Sequence, residues 1–350
     1  MNILKRLLYF LLLAGSLSAC STEVNINAPD KDIWVVYGVL DHADSIQYIR
    51  IAKAFLIEGD ALQYAASTDL SIQGLNVTLT GNGRTYVATE VDDIAKDSLG
   101  VFFPSQTLYK FQTDNGDELE PGERYDLSIT DPNDPDLSIS AYAYVPQLPN
   151  LSKPRLTPGA GQTRCLQRLT MEDIVEVNFA RLASQPGTGK GFEIRIHFEY
   201  MENGVEKAIV IGPTSLITEN LRCTAGNNNI CYQYGDGALL SAMKVHLNDE
   251  NAIYTYIDEP SCDVPENVAR SLRLEVTAID TFLTNYIIAN DPKFEDFLST
   301  RPEYTNLEGS DEVVGVFGAI ASDIEYALIG DCSEYLLRLN NTPKPESCVE

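Results

Sequence analysis

Histidine is scarce in this chain: His42, His197 and His246 are its three, each isolated. There is no C-x-x-C pair, no H-E-x-x-H segment and no G-x-S-x-G turn. Zinc sites, metalloproteases and serine hydrolases put their ligands or nucleophiles at such short spacings, so none of these classes has its usual signature here. Positive charge is also short. The chain has 25 Lys+Arg against 51 Asp+Glu, a net of −26. Such a surface repels phosphate backbones and anionic headgroups, so nucleic acid is not an expected partner and no basic face draws the body to a membrane. Acidity of this degree is an ordinary solubilising device and needs no ligand to explain it. Long apolar runs are missing too. The one near the start is too short for a helix crossing about 30 Å of hydrocarbon.

What is present begins at that run. Lys5 and Arg6 precede the apolar stretch 7–14, and Leu17-Ser18-Ala19-Cys20 follows. A charged start, a short apolar core and small residues before a cut mark a secretory signal. Cysteine at the cut makes it the lipoprotein kind. Residues 1–19 are therefore expected to be a signal peptide, and Cys20 the acylated first residue of the mature chain. Each acyl chain, palmitate for example, adds roughly 0.8 kcal/mol per buried methylene, and several chains together anchor a protein stably. The expected primary partner is thus a lipid bilayer, reached through Cys20.

The six other cysteines, Cys165, Cys223, Cys231, Cys262, Cys332 and Cys348, all lie in the second half. An even number in an exported chain points to disulfides, with a connectivity that spacing cannot give. Cys223 and Cys231 flank a polar, turn-rich stretch and form the best local pair. The others would staple the second half, with Cys348 tying down the tail.

Residues 20–31 are polar and read as a tether. Strand patterns follow at 33–40, 47–56, 75–80, 84–88, 108–112, 124–130 and 137–145, rich in β-branched and aromatic residues or alternating at period two. Asn82-Gly83 supplies the positive φ that a tight hairpin needs. Residues 32–146 have the size of an immunoglobulin-like β-sandwich. A proline-rich linker, 147–160, separates them from a second β-rich domain, 161–350, with clear alternators at 174–179, 192–200 and 272–279. Helix is expected only as a short insertion near 281–299, where Phe282, Leu283, Tyr286 and Ile287 share a stripe and Asp291-Pro292 opens a second piece. The fold class is mainly β: two tandem immunoglobulin-like sandwiches.

No constellation points to catalysis. His197 falls on the polar phase of its strand and is expected to be solvated. Residues 185–191 resemble a phosphate loop, but the spacing is wrong and no Ser or Thr follows Lys190. A hairpin turn explains them better. The acidic stretches 114–118 and 131–136 hold oxygen ligands of the type calcium uses, yet Asp, Asn and Pro are also ordinary turn formers. Asp44-Ser45-Ile46 and Asp97-Ser98-Leu99 match a short bacterial O-glycosylation signal, which makes Ser45 and Ser98 candidate acceptors.

Several features occur together in one order. The lipobox ends at Cys20, and Val35-Val36-Tyr37-Gly38-Val39-Leu40 follows as the first strand. The hairpin strand 75–80 and Leu119-Glu120-Pro121-Gly122-Glu123-Arg124-Tyr125 come next. Near the end the helical stretch 286–298 leads to Asn306-Leu307-Glu308-Gly309 and Gly315-Val316-Phe317-Gly318-Ala319. In this the chain resembles the Bacteroidota outer-membrane lipoprotein family catalogued as domain of unknown function 4249, over residues 20–330. The resemblance implies an all-β lipoprotein of the outer membrane, often encoded beside a TonB-dependent transporter. It carries over no catalytic residue and no cofactor. The expected role is a non-catalytic accessory or ligand- or partner-binding protein on the periplasmic or cell-surface face. The alternatives are a structural or adhesive surface module, and a polymer-acting hydrolase working through paired carboxylates.

Overall fold

The structure, a computed structural model, describes residues 33–54, 61–96, 103–112, 119–153, 168–171, 173, 175–180, 188–217, 229–257, 272–290, 304–309, 312–346 and 348. In the first half run β1 (Ile33–Asp41), β2 (Ile46–Lys53), α1 (Ala61–Ser67), β3 (Asn76–Gly81), β4 (Arg84–Val87), β5 (Thr89–Ala95), β6 (Ser105–Gln112), β7 (Arg124–Asp131) and β8 (Asp134–Tyr144). Then come β9 (Leu151–Lys153), β10 (Arg168–Leu169), β11 (Val175–Ala180), β12 (Thr188–Glu202), β13 (Val205–Ile217), β14 (Asn229–Tyr234), α2 (Ala238–Lys244) and β15 (Tyr254–Tyr256). The chain closes with β16 (Leu272–Asp280), α3 (Thr281–Asn290), β17 (Glu308–Gly309), β18 (Glu312–Tyr326), β19 (Leu328–Ile329) and α4 (Asp331–Leu336). The protein is mainly β, with several sheets and few, short helices. None of the described helices is long and apolar enough to cross a membrane.

Local chemistry explains the strands. Asn82 (φ 49) and Gly83 (φ 69) turn β3 into β4, and Asn203 (φ 52) with Gly204 (φ 80) turns β12 into β13, both in the left-handed region that Asn and Gly tolerate. Along β12, Phe192, Ile194, Ile196, Phe198 and Tyr200 are all buried while the residues between them are not. This is the period-two pattern of a strand with one face on a core.

One large sheet organises the molecule. Its order is β13-β12-β16-β18-β1-β2-β6-β5, with β15 added on β12. A five-stranded sheet, β17-β8-β7-β3-β4, encloses one core with it, around Trp34, Val36, Ile49, Tyr109, Leu127 and Ile139. A three-stranded sheet, β14-β11-β9, and α2 enclose a second core around Phe179, Phe198, Met243 and Leu274. β18 joins the two. It lies parallel to β1 along Glu312 to Ile320 and antiparallel to β16 along Ile320 to Tyr326. Its Val313, Phe317, Ala319 and Ala321 pack in the first core, although they come near the end of the chain. Ala321 of the first core is directly opposite Ala278 of the second, so both cores lie on the same face of the large sheet. Residues of the other phase form an outer face.

β11 and β12 belong to different sheets. The two strands are therefore not the paired arms of the hairpin expected from sequence, and Thr188 to Lys190 already lie in β12. Residues 185–187 fall outside the described residues.

Candidate functional site

The outer face is built by β12, β16, β18 and β1. Register places Arg195 beside Glu275 and His197 beside Arg273. His197 Nε2 meets Glu275 Oε2 at 2.7 Å, Arg195 bonds Glu193 at 2.7 Å, and Arg273 lies 3.6 Å from Glu199. Thr277 and Ser322 share a hydroxyl bond of 2.8 Å across the next pair. Three carboxylates, two guanidiniums and one imidazole thus share this ladder. The His197 side chain is 15% exposed and hydrogen-bonded to Glu275, which corrects the expectation of a merely solvated histidine: a diagonal neighbour on the adjacent strand, invisible in sequence, takes up its ring. Apolar side chains interrupt the ladder. Val39, Tyr48, Val210 and Ile324 are all exposed, and all fall on this phase of their strands.

Where β16 ends, α3 packs against the same face. Two glycines make the approach possible. A Cβ on Gly191 would come 2.7 Å from Thr284 Oγ1, and one on Gly318 would come 2.7 Å from Leu283 Cβ. Asp280 caps the helix. Its Oδ1 accepts the Leu283 N–H at 2.7 Å, and the Phe282 and Ala319 N–H groups also bond the carboxyl. The residue is fully buried, and among the described residues Oδ2 has no hydrogen-bond partner. Burial outweighs the three N–H groups and pushes the carboxyl up to about 7. Tyr286 donates its hydroxyl to Tyr37 of β1 at 3.2 Å, with the rings edge to face. Burial, then the Tyr37 hydroxyl, raises Tyr286 to about 12. Phe282 meets Tyr142 of β8 edge-on at 5.0 Å, and the Arg124 guanidinium covers the Tyr142 ring at 4.0 Å. The helix thus locks β12, β18, β1 and β8 together. Its expected stripe is only partly realised: Thr284 is its buried residue, and Ile287 is exposed.

The residues singled out from sequence are dispersed. Cys332, in α4, and Cys348 are disulfide-bonded, with Cα atoms 5.3 Å apart and a separation of 16 residues, so the tail is tied to α4. Cys231, in β14, is also disulfide-bonded. Ser45 is exposed in the turn between β1 and β2. Cys20, Cys165, Cys223, Cys262 and Ser98 lie outside the described residues, as does the acidic stretch 114–118. In the turn at 131–136 the carboxylates serve the turn itself. Asp131 accepts from the Asn133 N–H at 2.7 Å and Asp134 from the Asp136 N–H at 3.1 Å. Among the described residues no group of three or more His, Cys, Asp or Glu is placed to hold a metal. Sequence reasoning missed Glu275, Asp280 and the Tyr37–Tyr286 pair, whose partners are far apart in the chain. A polar Asp just before an apolar helix was the one available signal for a cap at Asp280.

No family model and no curated protein matches this chain. Among solved structures it overlaps one from work on host cell surface retention of a 1.5-MDa bacterial ice-binding adhesin, at 8% identity and a TM-score of 0.15. The overlap covers 87% of this chain and 66% of that one. A TM-score so low carries no argument about fold or role.

Proposed function

We propose that the protein is a lipid-anchored, non-catalytic accessory module of the outer envelope that binds a ligand or a protein partner. The observation that carries this reading is the lipobox ending at Cys20, followed within a dozen residues by a β-rich body. The body has the properties such a role needs. Two cores share one sheet, and β18 holds them in a fixed relation, so a face that spans both is preorganised for binding. That outer face combines a neutral-to-acidic polar ladder with exposed apolar side chains, the mixed composition of a non-obligate interface. Membership of the Bacteroidota lipoprotein family named above, and a TonB-dependent transporter as the partner, belong to the same proposal.

Two experiments test it. Metabolic labelling should put palmitate on the wild type and none on Cys20→Ala, which should leave the membrane fraction. A tagged protein drawn from detergent-solubilised membranes should bring a specific β-barrel partner with it. An unlabelled wild type removes the anchor, and recovery of the bait alone removes the accessory role.

A further inference from the structure

The outer face changes character where it passes from the second core to the first. Around β12 and β16 its arginines have carboxylates beside them, Arg195 with Glu193 and Arg273 with Glu199. Over β1 the pattern stops. Residues 35–39 of β1, 48–52 of β2, 106–110 of β6 and 314–318 of β18 lie side by side in the large sheet and hold no Asp or Glu. Carboxylates resume at Asp41 and, opposite Ile33, at Glu312. A chain with 51 acidic residues against 25 basic ones has enough carboxylates for every cation. It places none in this stretch.

Arg50 sits in the middle of it. Ile49 and Ile51 on either side are buried in the first core, so Arg50 falls on the outer phase of β2. Its Nε is buried and has no hydrogen-bond partner, and no carboxylate pairs with its guanidinium, among the described residues. Its charge acts on one of its own sign: burial, and then the Arg50 guanidinium, lower the Lys96 ammonium, with Asp69 opposing them more weakly. Tyr37 lies directly opposite Arg50. It accepts the Tyr286 hydroxyl at 3.2 Å, and its own O–H proton has no acceptor among the described residues. Lys110, opposite Tyr48 on β6, has no ion pair among them either. A half-buried charge without a partner costs stability, and the fold keeps it all the same.

The patch offers a guanidinium, an ammonium and a phenol proton, all donors. A carboxylate is their complement, and it can take a forked pair of bonds from arginine. Opposite residues on paired strands have Cβ atoms about 4.5–5.5 Å apart, so one carboxylate can meet both Arg50 and Tyr37. Around the donors the face is apolar: Val39 is 39% and Tyr48 43% exposed. An acidic sugar polymer brings many hydroxyls that need acceptors, and these side chains supply few. A peptide with carboxylates among apolar side chains matches both parts of the patch. We infer that the part of the outer face centred on Arg50 and Tyr37 docks an acidic, apolar peptide segment of a partner protein, whose carboxylate accepts from the Arg50 guanidinium and the Tyr37 hydroxyl; this assignment rests on the outer face being the binding surface proposed above.

The test uses the full protein in detergent and immobilised peptide pools as probes. One pool alternates Glu with Val, Leu or Phe; a second has Lys in place of Glu, and a third Gln. Polygalacturonate is the fourth probe. The wild type should hold the Glu pool and none of the others. Arg50→Met keeps much of the stem and removes the donors, and it should weaken retention of the Glu pool about tenfold or more, the scale of a charge-assisted hydrogen bond. Arg50→Lys should restore retention only in part, because an ammonium lacks the fork. Tyr37→Phe should weaken it by a smaller factor. The urea midpoint of Arg50→Met should be unchanged or raised, since the guanidinium has no partner to lose; a lowered midpoint would mark Arg50 as structural and overturn the assignment. So would equal retention by the wild type and Arg50→Met, retention of the Lys or Gln pool as well, or a preference for polygalacturonate. In the membrane pull-down described above, recovery of the same β-barrel by Arg50→Met removes this site and leaves the accessory role standing. Retention of the Glu pool with recovery of the bait alone removes the transporter and leaves the peptide site.

Discussion

Asp280 is the residue whose chemistry depends most on the fold around it. Its carboxyl titrates near 7 in the folded chain and near 3.8 when unfolded. The native state therefore holds a proton that the unfolded state has lost, and stability falls as pH rises from about 4 to 7. A shift of that size amounts to about 4 kcal/mol at most. Asp280→Asn keeps an acceptor for the Leu283 N–H and removes the buried charge. It should raise the midpoint of urea denaturation at pH 8 and change it little at pH 4; an equal effect at both pH values would contradict the assignment. Cys332 and Cys348 give a second expectation. Replacing both by Ser should cost about 3 kcal/mol, as for a closed loop of about 15 residues, measured by denaturation without reductant. At this scale sequence was partly readable. The tail cysteine was expected to tie down the C-terminus, and it does. The pairing of His197 with Glu275 was not readable, because it depends on which strand lies beside β12.

Among the elements, α3 shows how a helix of modest apolarity can be held firmly. Two glycines on the strands either side of β16, Gly191 and Gly318, let its backbone come close, and Asp280 satisfies its first N–H groups. Gly318→Ala should force Leu283 outward and cost about 1–3 kcal/mol, the usual range for overpacking. The Tyr37–Tyr286 contact should loosen with it, visible as raised proteolysis or exchange in 281–290. Hairpins and the long alternators were legible because their signal is local: Asn-Gly turns and period-two burial. α1, α2 and α4 were not. Each has only six or seven residues, too few for a helical period to stand out, and such segments are stabilised by what they touch.

For the whole molecule, the shared sheet is the decisive feature. β18 packs in the first core and pairs with β16 of the second, which couples the two, so the described body should unfold as one unit. Phe317→Ala, at a fully buried position of β18, should cost about 3–5 kcal/mol. Amide exchange should then accelerate both in β3, on the first core, and in β11, on the second. Acceleration confined to the first core would show that the two are energetically separate.

The order of residues by itself determined the β-rich class, the main turns, the acidity and the run of small residues that ends at Cys20, because each is a property of neighbours along the chain. The tertiary structure alone decided that the segment at 312–321 completes a core begun at Ile33 in β1, and that both cores share one face of one sheet. It also decided that His197, Asp280 and Tyr286 find partners from distant strands. Parallel pairing such as that of β1 with β18 joins segments with no turn between them, so no local pattern could announce it.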